Sequence, residues 1–219
     1  MSALHRIVIV DDHAIVRRGL RALLSEYGEF EVVGEADGHE SAVLVLAESA
    51  PPPTVVVIDL SLRSGHGLDL IKYVAAQLPT VRILAISMFD EGLYAERCLR
   101  AGAHGFLSKA EPVDSIVGAL RAVVEGRIFL SAPMTDRILR RAVGHELSPG
   151  AEPEERLSDR ELEVFTLIGQ GRPTREIAVS LRVSVKTVEA HREHIKLKLS
   201  LNNGAELSRR AVQWVLEHR

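Results

Sequence analysis

The chain has 219 residues, 46% hydrophobic and 26% charged, a globular composition long enough for one large or two ordinary domains. No apolar stretch approaches the ~20 residues that span a bilayer, and no basic, apolar leader opens the chain, so a soluble cytoplasmic protein without a membrane partner is expected. A single cysteine, Cys98, excludes an internal disulfide; it falls in a helical pattern as a core residue. The net charge of −3 is uneven: residues 1–130 carry 12 Lys+Arg against 17 Asp+Glu, and residues 157–219 carry 11 against 8. An acidic front and a mildly basic back are expected of two domains with different partners.

Strand-like runs fall at 6–10, 30–36, 54–60, 81–87 and 105–109. Helical patterns alternate with them near 13–27, 39–49, 67–77, 91–101 and 113–125. Strands alternating with helices predict βαβ units and a parallel sheet with right-handed crossovers. Runs such as Val55-Val56-Val57-Ile58, apolar on both faces, fit a sheet covered on both sides. Pro51-Pro52-Pro53 cannot be helical and separates the second helix from the third strand.

Residues 131–156 change character: a short helical piece near Thr135–Val143, then Ser148-Pro149-Gly150-Ala151-Glu152-Pro153-Glu154-Glu155. Prolines, a glycine and acids with little to bury predict an exposed linker and a domain boundary. Residues 157–219 carry helix signals only. Ser158 and Glu161 form a capping box, with Leu157 and Leu162 at the staple positions around it. A second helix follows Gly171-Arg172-Pro173-Thr174, and a third starts at Ser184, with Val183 and Val188 again at staple positions. Four residues, Leu181 to Ser184, join these two, and a last helix runs from about Ala205 to Glu217. Two helices on a tight turn, flanked by a helix on either side, make a four-helix, all-α helix-turn-helix domain.

Chemistry concentrates where strands end. Asp11 and Asp12 close the first strand, Asp59 the third, Ser87 the fourth, and Lys109 follows the fifth. In a doubly wound sheet of order 2-1-3-4-5, ligands bind beyond the carboxyl ends of strands one and three, where the order reverses. Acids gathered there repel one another and call for a cation; oxygen ligands with room for water suit Mg²⁺. Asp59 can then act as a carboxylate nucleophile forming an aspartyl-phosphate, Lys109 as a positive charge for phosphoryl oxygens and Ser87 as a hydroxyl donor. Singly, Asp12 reads as a helix cap, Ser87 as a turn residue and Lys109 as a surface charge; jointly they read as a site.

These residues, with Gly67-Leu68, Ala85-Ile86-Ser87 and the run from Ala101 to Lys109, make residues 4–125 resemble the receiver domain of two-component response regulators, a flavodoxin-like fold. The resemblance implies Asp59 as phosphoacceptor, Asp12 as direct metal ligand, Asp11 acting through water, and the backbone carbonyl of Ser61 as a further ligand. It makes Ser87 and Phe106 a switch pair, the hydroxyl turning toward the phosphate as the aromatic ring moves inward. Three features depart from the family: Arg63-Ser64 where a Pro-Gly pair is frequent, Ala110 where many receivers have proline, and Phe106 where tyrosine is commoner. None removes an essential group.

In the third helix of the second domain, Val188, Ile195 and Leu199 lie at i, i+7 and i+11, predicting one buried stripe. The opposite face carries Lys186, Glu189, Ala190, Arg192, Glu193 and Lys196. If this helix enters a major groove, Lys186, Thr187, Arg192 and Lys196, with Arg175 from the preceding helix, are placed for phosphates. Glu189 suits a cytosine amino group and Ala190 a thymine methyl. Residues 157–217 resemble the LuxR-type DNA-binding domain through Leu157–Val164, Arg175-Glu176-Ile177-Ala178 and Ser184–His191, so the whole chain resembles a NarL/FixJ-family response regulator. The resemblance implies a sensor histidine kinase as donor, double-stranded promoter DNA as target, and a homodimer on phosphorylation or DNA binding. Val212 and Trp214 of the final helix offer a dimer contact. The chain is then not an enzyme beyond self-phosphorylation and self-dephosphorylation. A phosphatase working through an aspartyl-phosphate would need a further acid/base group beside Asp59, and the sequence offers none; a constitutive DNA binder with a vestigial receiver is the other rival.

Overall fold

The computed structural model describes residues 4–62, 67–88, 91–112, 114–142, 153–181 and 183–217. The chain divides into two compact units, Met1–Ile138 and Leu139–Arg219.

The first unit is a five-stranded parallel sheet of order β2-β1-β3-β4-β5. Its strands are β1 (His5–Val10), β2 (Phe30–Ala36), β3 (Val55–Asp59), β4 (Arg82–Ser87) and β5 (Gly105–Ser108). Helices α1 (Ala14–Ser25), α2 (His39–Glu48), α3 (Gly67–Gln77), α4 (Glu91–Ala101) and α5 (Ser115–Val124) alternate with them, matching the predicted elements to within about two residues. Alternation along the strands divides the core. Ile7, Ile9, Val55, Val57, Leu84 and Ile86 pack with Leu24 of α1 and with Ile116, Leu120 and Val123 of α5. Val8, Val10, Val56 and Ile58 are equally withdrawn from water on the opposite face. This two-sided burial explains why the strands read as continuous apolar runs. Cys98 is buried on α4, as its helical pattern predicts.

Register positions the functional residues. Val10 pairs with Ile58 across β1 and β3, so Asp11 and Asp59 emerge side by side. Asp59 pairs with Ile86, and Ser87 with Ser108, bringing the ends of β4 and β5 to the same edge. The start of α3 lies close against the end of β3: a Cβ on Gly67 would lie 2.5 Å from the Asp59 carbonyl oxygen. Only glycine lets α3 start so close to the acid.

The segment predicted as a linker is more structured at both ends. Helix α6 runs from Ala132 to Ala142, three residues earlier than expected; Met134 is buried, and the Ser131 amide donates to Glu91 Oε1 at 2.8 Å. Pro153–Arg156 forms a short 3-10 turn whose Glu154 is fully buried, its carboxylate bound by Arg210 Nε at 2.7 Å. Acids with little to bury was the expectation; an arginine distant in sequence supplies what Glu154 needs. Val143 and residues 148–152 lie outside the described residues.

The second unit contains α7 (Asp159–Gly169), α8 (Thr174–Ser180), α9 (Val185–Lys198) and α10 (Gly204–Glu217). The capping box forms in both directions: Glu161 N donates to Ser158 Oγ, and Ser158 N to Glu161 Oε2 at 2.7 Å. Leu157 and Leu162 are buried beside it. Ser184 Oγ caps α9 by accepting from Thr187 N at 3.0 Å. Leu162, Phe165, Ile177, Val188, Ile195, Leu207, Ala211 and Trp214 form the core.

Candidate phosphoacceptor site and nucleic-acid interface

At the carboxyl edge of the sheet, Lys109 Nζ donates to Asp11 Oδ2 at 2.6 Å and to Asp59 Oδ2 at 2.7 Å. Both acids are fully buried. Their other oxygens accept from backbone amides two residues on: His13 N to Asp11 Oδ1 at 2.7 Å, Ser61 N to Asp59 Oδ1 at 3.0 Å. Asp12 is almost as enclosed, and His13 Nδ1 lies 2.7 Å from its Oδ1. His13 also occupies the N-cap position of α1 without a side-chain cap bond, so Asp12 is not the cap it resembles in isolation.

Burial raises the Asp59 carboxyl above its ordinary pKa, against the Lys109 ammonium and the Ser61 amide, which lower it; the Asp11 carboxylate adds to the rise. Burial pulls the Lys109 ammonium down, yet the carboxylates of Asp59 and Asp11 hold it above its ordinary value. One ammonium shared by two buried carboxylates, with Asp12 beside them, leaves negative charge in excess. Ligand atoms of Asp11, Asp12, His13 and Asp59 lie within 4.8 Å of one another. Hard oxygen donors at that spacing fit a divalent cation such as Mg²⁺. His13 was not among the predicted residues; its place directly after the two acids was the available signal.

Ser87 is fully buried, and its carbonyl accepts from Lys109 N at 2.7 Å, tying β4 to the lysine. Phe106 is fully buried, one strand away. Ser61 lies in the loop after Asp59, while Arg63 and Ser64 lie outside the described residues. The Lys109–Ala110 bond is trans, as the absence of proline predicts.

In the second unit, Val188 and Ile195 are fully buried, Leu199 partly so, and Lys186, Glu189, Ala190 and Glu193 are exposed on the other face of α9. Arg192 is half-buried, and Lys196 is half-buried with its Nζ 2.9 Å from Glu193 Oε2. Thr187 Oγ1 lies 2.7 Å from Ser184 Oγ, within the helix cap. Arg175 is exposed on α8. Arg160 was not predicted: its Nη1 pairs with Glu163 and its Nη2 donates to the Leu181 carbonyl at 2.5 Å, pinning the turn between α8 and α9. Trp214 corrects an expectation. It is 1% exposed and packs on Phe165 with ring centroids 5.7 Å apart, so it belongs to the core and cannot meet a second copy. Its neighbours Val212 and Leu216 are the large hydrophobic residues that α10 exposes.

No helix among the described residues is long and apolar enough to cross a membrane. Residues 7–121 match the family model of the response regulator receiver domain, and residues 155–211 match that of the bacterial regulatory proteins of the luxR family. The oxygen regulatory protein NreC of Staphylococcus epidermidis is 38% identical over 208 residues, covering 92% of this chain and 94% of that protein. NreC of Staphylococcus carnosus is 38% identical over 207 residues, with the same coverage. Among solved structures, the RcsB response regulator of Salmonella typhimurium superposes with a TM-score of 0.74 at 26% identity, covering 98% of this chain and 99% of that one. Salmonella enterica RcsB bound to promoter rprA in the presence of phosphomimetic BeF3⁻ gives 0.69 at 25% identity, over 95% and 98%. The chain therefore belongs to the response regulators of the NarL/FixJ family, DNA-binding regulators of transcription in two-component signalling that join a receiver domain to a LuxR-type helix-turn-helix domain.

Proposed function

We propose that Asp59 accepts a phosphoryl group from a sensor histidine kinase, with Mg²⁺ held by Asp11, Asp12, Asp59 and the Ser61 carbonyl, and that this event controls binding of promoter DNA by the second domain. The observation that carries the reading is the Lys109 ammonium shared between Asp11 and Asp59 at the topological switch point. An Asp59 carboxylate oxygen attacks phosphorus, the bond from phosphorus to the donor's nitrogen breaks, and the donor imidazole leaves. The cation, when bound, neutralises charge on the transferring group. Lys109 exchanges carboxylate for phosphoryl oxygens as partners, and Ser87 supplies a hydroxyl from the neighbouring strand. Charge added to Asp59 shifts an existing equilibrium, with Ser87 and Phe106 as the switch pair. The same site supports self-phosphorylation from small phosphodonors and self-dephosphorylation, and the active form is a homodimer on two half-sites. Lys186, Thr187, Arg192, Lys196 and Arg175 take phosphates; Glu189, Ala190 and Glu193 face the groove.

The test is labelling with a small phosphodonor plus Mg²⁺, followed by a mobility shift on promoter fragments selected by affinity. Wild type is expected to take label and bind more tightly, and Asp59→Asn to do neither. Equal labelling of Asp59→Asn removes Asp59 as acceptor; DNA binding indifferent to labelling makes the receiver vestigial.

A further inference from the structure

We propose that Arg17 is a positioning residue for the cation-binding acids, acting through the peptide that joins Asp11 to Asp12; this rests on the phosphoacceptor reading above. Arg17 lies on α1, beyond the turn that carries the acids. Its Nη1 donates to the Asp11 carbonyl oxygen at 2.6 Å, and its Nε to Glu35 Oε2 at 3.2 Å. Glu35 belongs to β2, and Arg21 Nε holds its second oxygen at 2.6 Å while Arg21 Nη1 donates to the Val32 carbonyl at 3.1 Å. The guanidinium is thus anchored to the sheet at one end and grips the acid turn at the other. The Arg17 side chain is only 17% exposed, so the grip competes little with water.

The Asp11 carbonyl is the hinge of the pair. Rotating that peptide swings the Asp12 side chain and alters the approach of Asp11 to Lys109. Two further bonds fix the turn: Asp11 N donates to the Ala36 carbonyl at 3.1 Å, and His13 N to Asp11 Oδ1 at 2.7 Å. Arg17 fixes the carbonyl between them. Groups that orient ligands without touching the ion govern its affinity, because they set how much rearrangement binding requires. Arginine suits the task through its rigid fork, which serves two partners at once; a lysine ammonium is a single point on a flexible stem. Arg17 also places a positive charge behind two adjacent carboxylates, which lowers the cost of holding them together.

The test is Mg²⁺ binding to the unphosphorylated full-length protein by isothermal calorimetry, for wild type, Arg17→Gln, Arg17→Lys and Arg21→Gln. Arg21 shares Glu35 and is bonded to the Val32 carbonyl, so Arg21→Gln removes one of the two α1–β2 ion pairs to Glu35 and leaves the Arg17 grip on the Asp11 carbonyl in place. Arg17→Gln is expected to weaken Mg²⁺ by about 10-fold. Arg17→Lys recovers part of that loss, and Arg21→Gln stays with wild type. In small-phosphodonor labelling, Arg17→Gln raises the Mg²⁺ concentration for half-maximal rate and leaves the rate at saturating Mg²⁺ intact, a split that general loss of stability does not produce. Wild-type affinity in Arg17→Gln, or an equal loss in Arg21→Gln, overturns the proposal. Should Arg17→Gln not fold, Arg17→Lys against Arg21→Gln decides: weakening in Arg17→Lys alone supports it, equal affinities overturn it. A wild type that takes no label overturns the phosphoacceptor reading instead.

Discussion

The Glu161 carboxylate accepts from the Ser158 amide at 2.7 Å and from the Lys198 ammonium at 2.5 Å. One residue therefore closes the cap of α7 and ties the far end of α9 to it. Burial raises the Glu161 carboxyl, but the bonds from Lys198 and Ser158 outweigh it and hold the group below its ordinary 4.5. The sign follows: a carboxyl with a lower pKa in the folded than in the unfolded state stabilises the fold above the unfolded value. That stabilisation is lost as pH falls through the folded value. Glu161→Gln is thus expected to melt below wild type near neutrality, with the gap narrowing as pH drops under 4.5. Fluorescence of Trp214, the single tryptophan and a core residue of the same domain, reports both melts. A gap constant across pH would mean that Glu161 contributes shape alone.

Elements meet at distances that leave some positions no room for a methyl group. A Cβ on Gly169, the last residue of α7, would lie 2.3 Å from the Ala211 carbonyl oxygen and 2.5 Å from Val215 Cγ2 of α10. Gly to Ala within a helix ordinarily stabilises by about 0.5–1 kcal/mol. Here overpacking, at about 1–3 kcal/mol, opposes it and prevails because the atom met is backbone. Gly169→Ala is expected to destabilise the second domain by a net of about 1–2 kcal/mol, seen as a lower urea midpoint by Trp214 fluorescence. A rise in the midpoint would show that α7 and α10 separate at little cost. In the receiver domain the strand ends do the equivalent work, since parallel register carries Asp11, Asp59 and Ser87 to one edge whatever the loops between them contain.

Across the molecule, charge follows the division of labour. Residues 1–130 carry more acid than base, as suits the cation site proposed there, and residues 157–219 carry 11 Lys+Arg against 8 Asp+Glu. The excess of base is small, so DNA affinity must come from the placement of a few cations rather than from bulk charge. Lys186, proposed above as a phosphate contact, is exposed in the first turn of α9. Lys186→Ala is expected to weaken binding evenly across sequences and to reduce the slope of log affinity against log salt by about 1. Loss confined to one operator sequence would make Lys186 a base reader instead.

The alternation of strands and helices, the two caps at Ser158 and Ser184, the buried stripe of α9 and the residues that close the strands are all legible along the chain. These are short-range properties: periodicity, caps and staples are read from neighbours a few positions apart. Which residues meet was legible only where topology forces it, as with Asp11 and Asp59 at the switch point. Packing chose the other long-range pairs: Arg210 with Glu154 across 56 positions, Lys198 with Glu161 across 37, and Arg17 on the Asp11 carbonyl. It also took Trp214 from the surface to the core and Glu154 out of an exposed linker. A charged or aromatic side chain carries no local record of its partner, because the partner is chosen by how finished elements pack.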